Sequence, residues 1–297
     1  MKNKSSIALS PWLVLFAAML WGTTGTAQAL APDGAQPAIV GTARLAVGGV
    51  ALLALAAARR ALNKGGRWPL MTTLIAAACM AAYQLFFFAG VARTGVAVGT
   101  VVGIGSSPIL AGIIGFLVRG ERPGRKWATA TALAILGCSL LITAGQSIQV
   151  DPLGLLLATG AGAAYACFTV ASKYLLEDRP PETVMAVVFC IGALFLLPFF
   201  FTADLAWLMK PRGLAVVLHL GLVTVAIAYT LFARGLSKVP VATAATLTLA
   251  EPLTAGMLGV FFLGERLTPL ATFGIFLIFA GLAMISVGRK AKGATPA

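Results

Sequence analysis

Charge is what this sequence has least of. Only 10% of its 297 residues are Asp, Glu, Lys or Arg, whereas a soluble domain carries about 25%. So little charge cannot cover a water-facing surface, and 59% of the chain is hydrophobic. Acid is scarcer than base: nine Asp and Glu stand against 22 Lys and Arg, with a single histidine. The four cysteines, Cys79, Cys138, Cys167 and Cys190, all lie in apolar runs. They show no metal-ligand spacing and no pairing in loops, so they read as small hydrophobes. No Walker-type Gly-rich loop with Lys is present, which argues against direct use of ATP. No His/Glu/Cys cluster offers a metal and no nucleophile–base pair is evident, so neither a cofactor nor an enzyme is expected. The net charge of +13 does not point to nucleic acid, because the basic residues sit in short loops between apolar runs.

Long hydrophobic runs are what the sequence has instead. A membrane-spanning helix needs roughly 20 mostly apolar residues. Ten such runs cover residues 10–30, 37–58, 70–92, 96–118, 126–143, 152–176, 183–201, 213–236, 241–263 and 269–288. The expected fold is therefore an all-α membrane protein of ten transmembrane helices. The first run is full length, so it is expected to be a retained helix and not a cleaved leader. With the N-terminus in the cytoplasm, 17 of the 22 Lys and Arg residues fall in cytoplasmic segments, among them Arg59, Arg119, Lys173 and Arg234. Only Arg93, Lys210, Arg212 and Arg266 fall outside. Basic residues concentrate on the cytoplasmic side of membrane proteins, so both termini are expected there.

The second half repeats the first. Pro108-Ile109 recurs as Pro252-Leu253, and Gly120-Glu121-Arg122 as Gly264-Glu265-Arg266, both at an offset of 144 residues. Gly137 and Gly281 keep that offset, as do Trp21 and Tyr165. Ala82-Tyr83-Gln84-Leu85-Phe86 returns as Ala228-Tyr229-Thr230-Leu231-Phe232, slipped by two residues. Two five-helix repeats follow, 10–144 and 152–288. Five is odd, so the second repeat crosses the bilayer in the opposite sense. Inverted repeats of this kind place a site between two halves that can rock against each other.

Several side chains are candidates for that site. Glu251 alone among the acids lies well inside an apolar run. A carboxylate there is costly and by default functional: it can bind a proton, contact a substrate ammonium, or hydrogen-bond beside Pro252 in a purely structural role. Its repeat partner is Ser107. Arg44, within the second run, is the matching cation, read as a structural ion pair with an acidic group, as a contact for helix-end carbonyls, or as a contact for a substrate carboxylate. His219 is a candidate for proton coupling or an interfacial histidine. Trp21, Tyr83, Phe87, Tyr165, Phe168 and Tyr229, with Gln84 adjacent, lie deep in their runs and suit the wall of an apolar cavity with a few polar points. Ordinary helix packing is the alternative. Trp12, Trp68, Trp127 and Trp207 lie near run ends and suit an interfacial belt. Pro108 and Pro252 are candidate bends for gating.

Trp21-Gly22 in the first helix, Arg44-Leu45 in the second, and Pro-containing fourth and ninth helices each followed by Gly-Glu-Arg form an ordered set. Over residues 11–288 the chain resembles the drug/metabolite transporter superfamily, in its EamA-type ten-helix branch. The resemblance implies a cofactor-free secondary carrier of small metabolites, often exporting. Within the branch it is most similar to broad-specificity exporters of amino acids, aromatic ones included. The resemblance thus implies an inner-membrane transporter of neutral amino acids or related metabolites, working by alternating access, with a small-molecule substrate and the bilayer as its partners. A drug or other metabolite efflux carrier of the same fold stays open as an alternative. A passive channel ranks below it, and a membrane enzyme acting on lipid-linked substrates ranks last.

Overall fold

A computed structural model describes residues 2–144, 151–202, 204–263 and 268–286, and among these the chain is helical without strands. Ten helices follow one another: α1 (Lys2–Ala29), α2 (Pro37–Ala58), α3 (Leu70–Gly95), α4 (Val98–Arg119), α5 (Arg125–Thr143), α6 (Pro152–Leu175), α7 (Pro181–Leu196), α8 (Pro211–Leu236), α9 in two pieces (Val241–Leu247 and Ala250–Leu263), and α10 (Pro269–Ser286). Nine of them, α2 to α10, are long and apolar enough to cross a membrane. Proline opens α2, α6, α7, α8 and α10. The first turn tolerates it, since its missing N–H has no intrahelical partner there.

Three helices depart from the simple runs. Gly95 (φ 80°, ψ 162°) is the one non-helical residue between α3 and α4. That conformation suits glycine. It folds the chain back, so that Gly99 meets Val91 and Gly103 meets Phe87. Residues Leu220–Ile227 within α8 form a π-helix. In α9 the chain turns at Thr248 and Leu249, just before Glu251-Pro252. Pro252 has no N–H for the Thr248 carbonyl, which accepts instead from Glu251 N–H at 2.9 Å. Helix α4 runs through Pro108 unbroken, so the two repeat-related prolines have different consequences.

The inverted repeat is visible in the packing. Helix α1 packs on α8 and α9, as α6 packs on α3 and α4. Helix α2 packs on α8 as α7 packs on α3, while α2–α7 and α5–α10 pair with their own repeat mates. The α5–α10 crossing makes the symmetry explicit. Gly137 meets Gly274 and Gly281 meets Ala130, and the 144-residue offset carries one pair onto the other. Small residues allow this approach. A Cβ at Gly137 would stand 2.5 Å from the Gly274 carbonyl oxygen. Gly137→Val is therefore expected to destabilise the protein by about 1–3 kcal/mol, read as a lower melting temperature in detergent. Gly66→Ala, with nothing within 4 Å, is expected to be neutral. Equal melting of the two variants would contradict the close crossing.

Candidate functional site

At the centre, the repeat mates Trp21 (α1) and Tyr165 (α6) meet edge to face, with ring centroids 6.5 Å apart. Tyr229 lies 4.7 Å and Phe232 5.4 Å from Trp21. Tyr83 lies 5.6 Å from Tyr165 and 5.8 Å from Phe87, and Phe168 and Phe189 close the group around Tyr229. Such edge-to-face and tilted pairs each add about 0.5–1.5 kcal/mol beyond burial. The Trp21 indole N–H donates to the Thr224 carbonyl at 2.8 Å. That carbonyl belongs to the π-helical segment of α8, where the regular α-helical bonding is interrupted.

A cavity of about 680 Å³ borders this cluster, within the about 300–1,000 Å³ usual for small-molecule sites. Trp21, Phe87, Glu251 and Pro252 reach its wall. Tyr83, Gln84, Ser107, Tyr165, Phe168 and Tyr229, also expected on the wall, do not line it; close packing of the aromatic rings on one another and of these side chains on neighbouring helices takes them out of it. Also on the wall are Thr24, Gln28 and Thr100, which the sequence reading passed over. Their signal was present as the polar stretch Gly22 to Gln28 late in α1. The cavity extends toward the end of α5 and the start of α10, where Ala144 and Thr268 line it.

Glu251 sits at a close approach of α1 to α9. A Cβ at Gly22 would lie 2.8 Å from the Glu251 carbonyl oxygen. Its mate Ser107 holds the equivalent place, where Gly162 of α6 approaches the Ser107 amide. Arg44 has no acidic partner among the described residues; its Nη2 donates to Gln84 Oε1 at 3.2 Å. His219 Nε2 lies 2.9 Å from Thr23 Oγ1, tying α8 to α1. Of the four tryptophans expected in an interfacial belt, Trp207 and Trp127 also make contacts within the protein. Trp207 is buried at 2% exposure, and Trp127 packs on Gly112 and donates to Thr246 Oγ1 at 3.0 Å.

The opposite end is sealed by polar contacts between the halves. Gly120 ends α4 in the left-handed conformation (φ 67°), which directs Glu121 across to α9. Glu121 Oε2 accepts from the Val241 N–H at 2.7 Å, and Oε1 pairs with Lys173 Nζ at 3.2 Å and Arg119 Nε at 3.4 Å. A carboxylate is favoured at a helix start, where backbone N–H groups lack intrahelical partners. Arg119 also reaches Glu177 at 2.8 Å, and Lys173 reaches the Val239 carbonyl. Nearby, Glu182 pairs with Arg59 at 3.4 Å and Arg234 at 3.8 Å. These are the helix ends that carry most of the Lys and Arg residues. The second Gly-Glu-Arg copy, Gly264-Glu265-Arg266, lies outside the described residues.

Residues 9–143 and 152–287 each match the EamA-like transporter family. The chain belongs to that family. It is 48% identical over 286 residues to the uncharacterized transporter YwfM of Bacillus subtilis (strain 168), covering 96% of each chain. It is 34% identical over 167 residues to the threonine/homoserine exporter RhtA of Escherichia coli (strain K12), covering 54% of this chain and 55% of that one. A solved crystal structure superposes with a TM-score of 0.81 over 94% of this chain at 21% identity, which is likeness of fold. This EamA-like protein is thus a multi-pass membrane transport protein for a small molecule.

Proposed function

We propose that this EamA-like transporter is a secondary carrier of amino acids, neutral and aromatic ones included, that exports them across a bacterial-type inner membrane by alternating access. The repeats 10–144 and 152–288 are the two halves that rock. The Lys- and Arg-rich face, with both termini, is cytoplasmic. One observation carries this reading: a cavity lined by Trp21 and Glu251 borders the aromatic cluster, while the Glu121 and Glu182 contacts join the two halves at the Lys- and Arg-rich end. A carrier with one side open and the other closed has this form. The 34% identity to RhtA supports amino acids as the substrate class.

Counterflow in proteoliposomes tests it. Vesicles preloaded with unlabelled amino acids are offered labelled Phe, Thr, Met and Lys. Saturable accumulation of at least one is expected. Glu251→Gln is expected to lower it about tenfold or more, corresponding to a charge-assisted contact of about 1.5–3 kcal/mol. Folded wild-type protein that accumulates none of the four would remove the amino-acid reading and turn attention to drugs and other metabolites. Non-saturating flux would indicate a channel.

A further inference from the structure

A second cavity lies away from the one that Glu251 borders. It is a groove of about 660 Å³ between α3, α4 and α6, at the Lys- and Arg-rich end. Ile75, Ile114, Val118, Cys167 and Val170 make its walls. Ile75 and Val118 are exposed, so the groove opens on the outer surface of helices that are long and apolar enough to cross a membrane. Water does not favour an apolar groove of this kind, whereas a hydrocarbon chain fills it. From Cys167 to the end of α6 at Leu175 is about 12 Å at 1.5 Å per residue. Half of a bilayer's hydrocarbon core is about 15 Å. The groove is thus nearly as deep as one leaflet, the one on the Lys- and Arg-rich side.

Its rim is polar. Arg119, Tyr174 and Glu177 border it, and Arg119 Nη2 donates to Glu177 Oε1 at 2.8 Å. Arg119 Nε faces Glu121 Oε1 at 3.4 Å, and Lys173 Nζ faces the same oxygen at 3.2 Å. Two cations here balance two carboxylates, so the rim has no net charge to offer an anion. One donor and one acceptor remain. Among the described residues, neither Arg119 Nη1 nor Glu177 Oε2 makes a hydrogen bond. The first can only donate and the second, ionised, can only accept. The Glu177 side chain is 51% exposed, open to a headgroup. Tyr174 beside it is an amphipathic ring of the kind that sits at headgroup level.

We infer that the groove is a site for one phosphatidylethanolamine molecule: an acyl chain lies between α3, α4 and α6, the phosphate accepts from Arg119, and the ammonium group donates to Glu177. Headgroup chemistry selects this lipid. Phosphatidylcholine brings the phosphate, but its quaternary ammonium has no N–H for Glu177. Phosphatidylglycerol brings a net negative charge that the balanced rim does not neutralise, and its hydroxyls are weaker, uncharged donors. The bound lipid touches α3 and α4 of one half and α6 of the other, beside the Glu121 contacts, so it clasps the halves together at that end. The site faces the bilayer and is independent of the transported substrate.

Lipid binding to the purified full chain tests this. Dioleoyl phosphatidylethanolamine, phosphatidylcholine and phosphatidylglycerol are each titrated into delipidated protein in detergent. Native mass spectrometry counts the bound lipid, and the melting temperature is followed in parallel. The wild type is expected to hold one phosphatidylethanolamine about tenfold or more tightly than either other lipid. Its melting temperature is expected to rise most with that lipid, since a ligand of the folded state stabilises it. Glu177→Gln, at an exposed position, is expected to bring phosphatidylethanolamine down to the level of phosphatidylcholine. Ile75→Trp fills the groove and is expected to weaken all three lipids. Leu117→Trp, exposed but outside the groove, is expected to leave binding unchanged. Melting without added lipid confirms the fold of each variant. Equal binding of the three lipids to the wild type would overturn the site. So would tightest binding of phosphatidylglycerol, which would mean general attraction of anionic lipid to the basic face. A phosphatidylethanolamine preference that survives Glu177→Gln or Ile75→Trp would place the lipid elsewhere and overturn the site as well.

Discussion

Glu121→Ala is expected to unseal the Lys- and Arg-rich face. Glu121 joins α4 to α9 through the Val241 N–H and to α6 through Lys173, so one side chain holds three helices of both halves together. Its removal leaves the start of α9 uncapped and the mostly buried Lys173 without this carboxylate. Breaking such a partly buried pair costs about 3–5 kcal/mol. The loss falls on the sealed arrangement, since the Gly120 turn is what carries Glu121 to α9. The population is then expected to shift toward forms open on that face. A cysteine in place of Ala245, which is fully buried in α9, reports this in a background lacking the four native cysteines. A membrane-impermeant maleimide applied to that face is expected to label it about tenfold or more faster in the Glu121→Ala protein. Glu121→Gln keeps an acceptor for Val241 and loses the charge, so an intermediate rate is expected. Equal labelling with and without Glu121 would show that these contacts do not hold the face closed.

Trp21→Ala is expected to produce a large loss of stability. Trp21 is 6% exposed and touches Tyr165, Tyr229 and Phe232. Removing a buried ring of this size costs about 3–5 kcal/mol through lost contacts and the cavity left behind. It also strips the Thr224 carbonyl of its indole donor within the π-helical stretch of α8. Trp21→Phe separates the two contributions. It keeps most of the packing and loses the hydrogen bond, for about 0.5–1.5 kcal/mol. Thermal unfolding in detergent is expected to rank wild type above Trp21→Phe and Trp21→Phe above Trp21→Ala. Counterflow is expected to follow the same order, because Trp21 also lines the cavity. Trp21→Ala that melts within a degree or two of wild type would mean that the cluster is loosely packed.

The sequence by itself determined the class of this protein. Hydrophobic runs of about 20 residues leave few alternatives to membrane helices, since only a helix satisfies every backbone group inside a single segment in lipid. The repeat of Trp21, Gly120-Glu121-Arg122 and Gly137 144 residues later determined the two-fold arrangement, because five helices invert the second copy. Tertiary structure alone decided which side chains meet. Periodicity says that Glu251 is intramembrane, but only the crossing of α1 and α9 places it on a cavity wall. Gly-Glu-Arg was legible as a motif without a role. Its glycine ends a helix at positive φ, and its glutamate finds the first N–H of a helix 120 residues away, a distance no local pattern encodes. The π-helical segment of α8 was invisible for the same reason. Its composition is that of any apolar helix, and the Trp21 indole that bonds to its Thr224 carbonyl comes from another helix. Side chains in an apolar medium signal where they lie by hydrophobicity alone; their partners are set by helix crossings, which small residues such as Gly22, Gly137 and Gly162 permit but do not specify.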